Sequence, residues 1–143
     1  LYYGVLIPIS ILPYRVLYFI SDGLYFLIYR VIGYRKKVVL TNIKNSFPDR
    51  SAQEHEKIAR DFYQHFCDVI VESFKTFTIS EKEALARMKF ANPEILKPYV
   101  EAKQSIILAG GHYNNWELFA VAIDSQMDHQ AIAIYKRLKN AYM

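Results

Sequence analysis

One cysteine, Cys67, stands in 143 residues, so no internal disulfide framework is available and the core must hold by packing. A lone cysteine in this setting reads as a small core hydrophobe. Glycine and proline are sparse, five of each, which excludes collagen-like and linker-rich architectures. No internal repeat, low-complexity tract or recognisable nucleic-acid motif is present, and no nucleic-acid partner is expected. No small-residue cleavage site comes after the apolar N-terminal region, which is also too long for a signal peptide. Position 1 is Leu rather than Met, inside an apolar run, and the chain stops just after an expected strand. Both ends read as cut, and the expectation is a fragment.

What the chain has in quantity is apolar sequence, concentrated in its first third. Residues 5–33, "VLIPISILPYRVLYFISDGLYFLIYRVIG", are long enough to cross a bilayer core of about 30 Å. Pro8 and Pro13 interrupt the early part, so the main helix is predicted to begin near Pro13. Arg15, Asp22 and Arg30 fall near one helical face. Two readings stay open: a spanning or deeply inserted helix with a polar stripe, and a helix lying in the interface. The competing bland reading is a buried helix of a soluble protein. Arg35-Lys36-Lys37 closes the segment, which places the downstream chain on the cytoplasmic side. The net charge of +4 is modest, but the cations cluster, which suits an anionic membrane surface or an acidic partner.

Residues 34–46 read as a basic helix stopped before Pro48. Ser51-Ala52-Gln53-Glu54 has the form of a capping box and starts a long helix. The spacing predicts that this helix buries Ile58, Phe62, Phe66, Val69, Ser73 and Phe77. Asp61, His65, Asp68 and Glu72 share another face, read as a solvated strip in preference to a metal cluster. His55 and His129 are expected to be exposed. Ser80-Glu81-Lys82-Glu83 repeats the capping box, "MKFA" reads as a brief strand, and Asn92-Pro93 opens a further helix limited by Pro98. "SIILA" then reads as a buried strand, "NWELFAVAIDSQ" as a helix with Leu118, Val121 and Ala122 on one face, and "QAIAIYK" as a second strand. Strand, helix, strand is a βαβ unit, so the expected fold class is α/β.

Between the first expected strand and the helix lies "GGHYNNWE", residues 110–117. Such a turn, at the carboxyl end of a strand and opening a helix, is where open α/β sheets hold ligands. Asn114 or Asn115 suits the helix cap. A neutral imidazole at His112 has a use as general base toward an attacking hydroxyl, and a carboxylate at Glu117 has a use in fixing its tautomer. On a continuous helix the two side chains would diverge by roughly 140°. They meet only if the chain bends at the turn. The residues alone leave a helix cap and a catalytic base as equal readings. Trp116 is expected to pack the site helix into the core.

The same block resembles the His-x-x-x-x-Glu block of the bacterial lipid A biosynthesis (late lauroyl/myristoyl) acyltransferase family, typically Gly-His-x-x-Asn-Trp-Glu. This chain matches at Gly111, His112, Asn115, Trp116 and Glu117. "YRKKVVLTNIKNSFPDRS" and "FYQHFCDVIVESFK" are similar to upstream family segments. "AIYKRLKNAYM" is similar to a downstream one, with Arg137 where proline is common. The resemblance implies a glycerol-3-phosphate-acyltransferase-like α/β fold with a helical N-terminal region. It implies a membrane-anchoring helix over 5–33 and the N-terminal part of the acyltransferase domain over 34–143. The implied activity is transfer of a fatty acyl group from acyl carrier protein to a hydroxyl of a lipid A precursor, at the cytoplasmic side of the bacterial inner membrane. His112 would be the base and Glu117 its orienting carboxylate, with Asn115, Lys136, Arg137 and Glu72 as substrate-binding candidates. No metal or cofactor is implied. Family blocks that complete the site would lie beyond residue 143, so the fragment alone is expected to be inactive. The alternatives are another acceptor, an aminolipid or phosphoglycolipid, and a non-catalytic membrane-associated protein that retains the fold.

Overall fold

The computed structural model describes residues 2–134. Seven α-helices are found among them: α1 (Ile7–Ile11), α2 (Tyr14–Tyr25), α3 (Lys36–Ser46), α4 (Ala52–Lys75), α5 (Glu81–Arg87), α6 (Lys97–Glu101) and α7 (Trp116–Ala122). The chain divides into two compact units, Leu12–Phe74 and Leu1–Ile11 with Lys75–Met143.

In the first unit, α2 starts where expected, with extended Pro13 as its N-cap. At Phe26 the helix widens into a π-helical segment, Phe26–Ile32. Gly33 ends it in the left-handed region (φ 66°), which glycine enters without a Cβ clash, and the Tyr34 amide returns to the Ile28 carbonyl at 3.0 Å. The polar groups of this apolar stretch turn toward α4. Tyr18 donates to Glu72 Oε1 (2.6 Å), Ser21 to Asp68 Oδ1 (2.6 Å) and Tyr29 to Glu56 Oε1 (2.6 Å), while Gln64 donates to Asp22 Oδ1 (3.0 Å). The Tyr63 hydroxyl donates to the Tyr34 carbonyl. Each bond is modest in net terms, but leaving a partner of the three part-buried ones, Tyr18–Glu72, Ser21–Asp68 and Tyr29–Glu56, unpaired is costly, so these cross-links select one helix face over the others.

That selection overturns the buried face predicted for α4. The buried residues are His55, Ala59, Tyr63, Cys67, Val71 and Lys75, a strict spacing of four. Ala59 and Cys67 on this face are small, and Leu17 and Ser21 of α2 are buried as well. Phe62 remains 44% exposed and stacks on Phe66 with centroids 5.9 Å apart. The Asp68–Glu72 strip is accordingly paired rather than solvated. Of its other members, Asp61 pairs with Lys57 at 2.7 Å and His65 is exposed. His55 is buried, not exposed, and its Nε2 lies 2.8 Å from the Phe47 carbonyl at the end of α3. The capping box before α4 is formed in both directions: Ser51 N to Glu54 Oε2 at 2.8 Å, and Glu54 N to Ser51 Oγ at 3.3 Å.

In the second unit, Ala84 of α5 packs with Leu118 and Ala122 of α7, flanked by Ile79 and Met88. Ser80 caps α5 by accepting from Glu83 N. Gln126, in a 3-10 turn after α7, ties the segments together. Its amide nitrogen donates to the Met88 and Ala122 carbonyls (2.9 and 3.1 Å), and its oxygen accepts from Phe90 N (3.0 Å). Near the N-terminus, Thr78 donates to the Ser10 carbonyl at 2.7 Å. Asn92-Pro93 opens a 3-10 turn, Pro93–Leu96, that runs into α6 with Pro98 near its start.

The α/β expectation is not met: no strand occurs among the described residues, and the architecture there is all-helical. "SIILA", "MKFA" and residues 130–134 of "QAIAIYK" are irregular chain. A strand is defined by its ladder, and these segments have no neighbouring strand to bond. Ile107 (96% exposed) and Ile134 (101%) have no sheet to pack on. The last residues of "QAIAIYK" lie outside the described residues. The expectation of one long apolar helix over 5–33 is also corrected. No single described helix is long and apolar enough to cross a membrane. Proline at 13 breaks the run, and Tyr3–Ile11 and Tyr14–Ile32 pass by length and composition only as a broken pair.

Candidate active site

The site candidate is built on the N-terminus of α7. Asn115 is its N-cap, and Asn115 Oδ1 accepts from the Leu118 amide at 3.0 Å. This satisfies one of the amides that a helix start leaves unpaired. Asn115 is only 7% exposed, so the cap is sheltered and the chain's entry to the helix is pinned. Leu118 and Ala122 bury one face of α7 in the cluster with Ala84, while Val121 stays exposed. Residues 110–114, which lead into the helix, are exposed.

The bend that separates His112 from the helix falls on Asn114, not on the glycines. Asn114 takes φ 59°, a left-handed conformation that asparagine tolerates better than most residues, and the Trp116 amide bonds back to the Asn114 carbonyl at 3.1 Å. Neither Gly110 nor Gly111 has positive φ, and a Cβ at either would meet open space. His112 and Tyr113 are exposed, and Glu117 is half-buried in the first turn of α7.

The imidazole of His112 lies against the indole of Trp116, with ring centroids 4.5 Å apart and planes inclined by 61°. Trp116 is the first residue of α7. Side chains in a helix lean toward its N-terminus, so the indole covers the chain that enters the helix rather than the core. That is why Trp116, expected in the core, is 44% exposed. His112 and Glu117 share no hydrogen bond or ion pair. Glu117 comes after Trp116 by about 100° of helix rotation, so its carboxylate leaves α7 on another side.

The remaining candidates are scattered. The Glu72 carboxylate accepts from Tyr18 and belongs to the cross-links of the first unit. Asn115 spends its side-chain oxygen on the cap. Lys136 and Arg137 lie outside the described residues. His129 is half-buried, with Nε2 3.1 Å from the Gln104 carbonyl. No group of three or more metal-ligating side chains is found among the described residues. Sequence reasoning anticipated a bend over the glycines and asparagines of the turn, which the structure narrows to Asn114, but it missed the Trp116 contact.

A turn carrying an exposed imidazole, joined to a capped helix start with an acidic first turn, defines a candidate proton-transfer site. The chain belongs to the bacterial lipid A biosynthesis acyltransferase family, which it matches over residues 1–143. Among curated proteins it is similar to the lipid A biosynthesis lauroyltransferase of Escherichia coli (strain K12), with 26% identity over 133 residues, 93% of this chain and 43% of that protein. The chain thus spans less than half the length of that relative. No solved structure matches it.

Proposed function

We propose that the chain carries the base-bearing part of an acyltransferase site that moves a fatty acyl group from acyl carrier protein to a hydroxyl of a lipid A precursor. The observation that carries this reading is the exposed His112 held on the Asn114 bend at the start of α7, within a chain whose whole length matches the family. One imidazole nitrogen takes the acceptor's hydroxyl proton as its oxygen attacks the thioester carbonyl. The C–S bond of the resulting tetrahedral intermediate breaks, and the departing thiolate takes the proton from the imidazolium. Glu117 accepts the other imidazole N–H and stabilises the cation while it exists. Hydrogen bonds of this kind commonly tighten only once substrate is bound, which fits two side chains that stand apart beforehand.

The setting proposed is the cytoplasmic side of the bacterial inner membrane. Two observations support membrane contact. Phe19, Phe26, Val31 and Ile32 are exposed on the stretch whose Tyr18, Ser21 and Tyr29 pair with α4, with the exposed cations Arg15 and Arg30 among them. Arg35 and Lys37 are exposed beside it, suited to anionic headgroups. The test of the chemistry is His112→Ala in the complete reading frame that contains this chain. Acyl transfer from acyl carrier protein to a lipid A precursor should fall by at least about a hundredfold, with helical content unchanged. Undiminished turnover would falsify the base assignment.

A further inference from the structure

We propose that Trp116 is a positioning residue for His112: its indole holds the imidazole in the space ahead of α7, where an acceptor hydroxyl must arrive. This inference rests on the reading of His112 as the base. The motif alone assigns no such role, and sequence reasoning placed Trp116 in the core. Three observations carry it. The rings lie 4.5 Å apart, inclined by 61°. Trp116 stays substantially exposed although α7 has a buried face that takes Leu118 and Ala122. The backbone between the rings is determined at both joints, by the left-handed Asn114 and by the Asn115 cap.

The physical argument is one of rotamer freedom. His112 sits on exposed irregular chain, where an imidazole samples several staggered positions. A general base must lie within hydrogen-bond reach of the proton it takes, so each unproductive rotamer lowers the reactive fraction. The glycines at 110 and 111 supply no side chain that restricts it. The indole, rooted in the first residue of a capped helix, is the fixed surface beside it. It covers one side of the imidazole, while His112 as a whole stays exposed. The relation is one-way: Trp116 is anchored by α7, and His112 is anchored by Trp116.

Trp116 is the chain's single tryptophan, which makes the contact readable without turnover. In the wild-type chain, the His112 ring protons should show a ring-current displacement in NMR spectra that Trp116→Leu removes and Trp116→Phe partly retains. Replacing His112 by Gln should lengthen the tryptophan fluorescence lifetime, since a contacting imidazole quenches indole emission. In the complete reading frame, Trp116→Leu should lower kcat roughly tenfold to a hundredfold with KM within about twofold, and Trp116→Phe should recover most of that loss. Helical content and thermal midpoint, measured in parallel, identify a variant that fails to fold. If Trp116→Leu is misfolded, the ring-current and lifetime comparisons between wild type and the His112→Gln and Trp116→Phe variants decide the matter alone. Identical His112 shifts with and without the indole, or full kcat in a folded Trp116→Leu, overturn the proposal. Those results leave the base assignment standing if His112→Ala is inactive, whereas an active His112→Ala removes the premise itself.

Discussion

Tyr29 donates its phenolic hydrogen to Glu56 Oε1 at 2.6 Å, and Lys36 Nζ reaches the same oxygen at 3.0 Å while lying 4.5 Å over the Tyr29 ring. Three elements, the π-helical segment, α3 and α4, meet at this one carboxylate. The phenol and then the ammonium hold the Glu56 carboxyl below its usual range, and Glu56 raises Lys36 above its own. Tyr29→Phe should therefore destabilise the chain by about 1 kcal/mol, discounted for the partial exposure of Lys36 and Glu56. Urea unfolding of the variant, with unchanged m-value, is the measurement; an unchanged midpoint would show that Lys36 alone sets the carboxylate.

Glu54 sets an acid limit. Its carboxylate accepts from the Ser51 amide and from Arg50 Nη1 (2.8 Å each), which lowers its pKa from 4.5 to about 2. A depressed folded-state value means stability that is fully present above the unfolded value near 4.5 and lost as pH falls toward 2. Wild type should lose stability steadily across that window, and Glu54→Gln should show a shallower slope over the same range. Chemical unfolding at several pH values spanning the window reads the difference.

Cys67 is fully buried on the α4 face that packs against α2, and burial pushes its thiol above the ordinary value. The native chain should resist a thiol reagent at neutral pH and react in full once denatured. Rapid labelling of the native chain would mean that this helix contact opens often.

The exposed apolar side chains of the α2 stretch should govern binding to bilayers. Phe19→Asp together with Val31→Lys leaves the four cross-links to α4 intact, because neither side chain takes part in them. Flotation with vesicles containing anionic phospholipid should drop several-fold, by the cost of exposing polar groups to the apolar interface. Equal flotation would assign the membrane contact elsewhere.

The helix starts were legible because they depend on neighbours in sequence. Ser51 with Glu54, Asn115 with Leu118 and the Pro13 boundary form as their spacing implies, and of the box expected at Ser80–Glu83 the Ser80 cap is formed without the reciprocal bond. The buried face of α4 was not legible. Phe62 and Phe66 outweigh Ala59 and Cys67 in hydrophobicity, yet the smaller residues are buried, because Ser21, Tyr18 and Tyr29 need acceptors and find them at Asp68, Glu72 and Glu56. The strands were misread for a related reason: an apolar run such as "SIILA" has the composition of a buried strand, but pairing is supplied by another segment and not by the run itself.

Local sequence was enough to specify the capped starts of α4, α5 and α7, the break at Pro13 and the placing of His112 outside a helix N-terminus. Each is settled by hydrogen bonds and steric limits within a few residues. Packing between elements chose which side of α4 is buried, and the lack of a neighbouring strand among the described residues left 105–109 irregular. Both outcomes depend on partners supplied by other segments, and those partners are set only once the elements have packed.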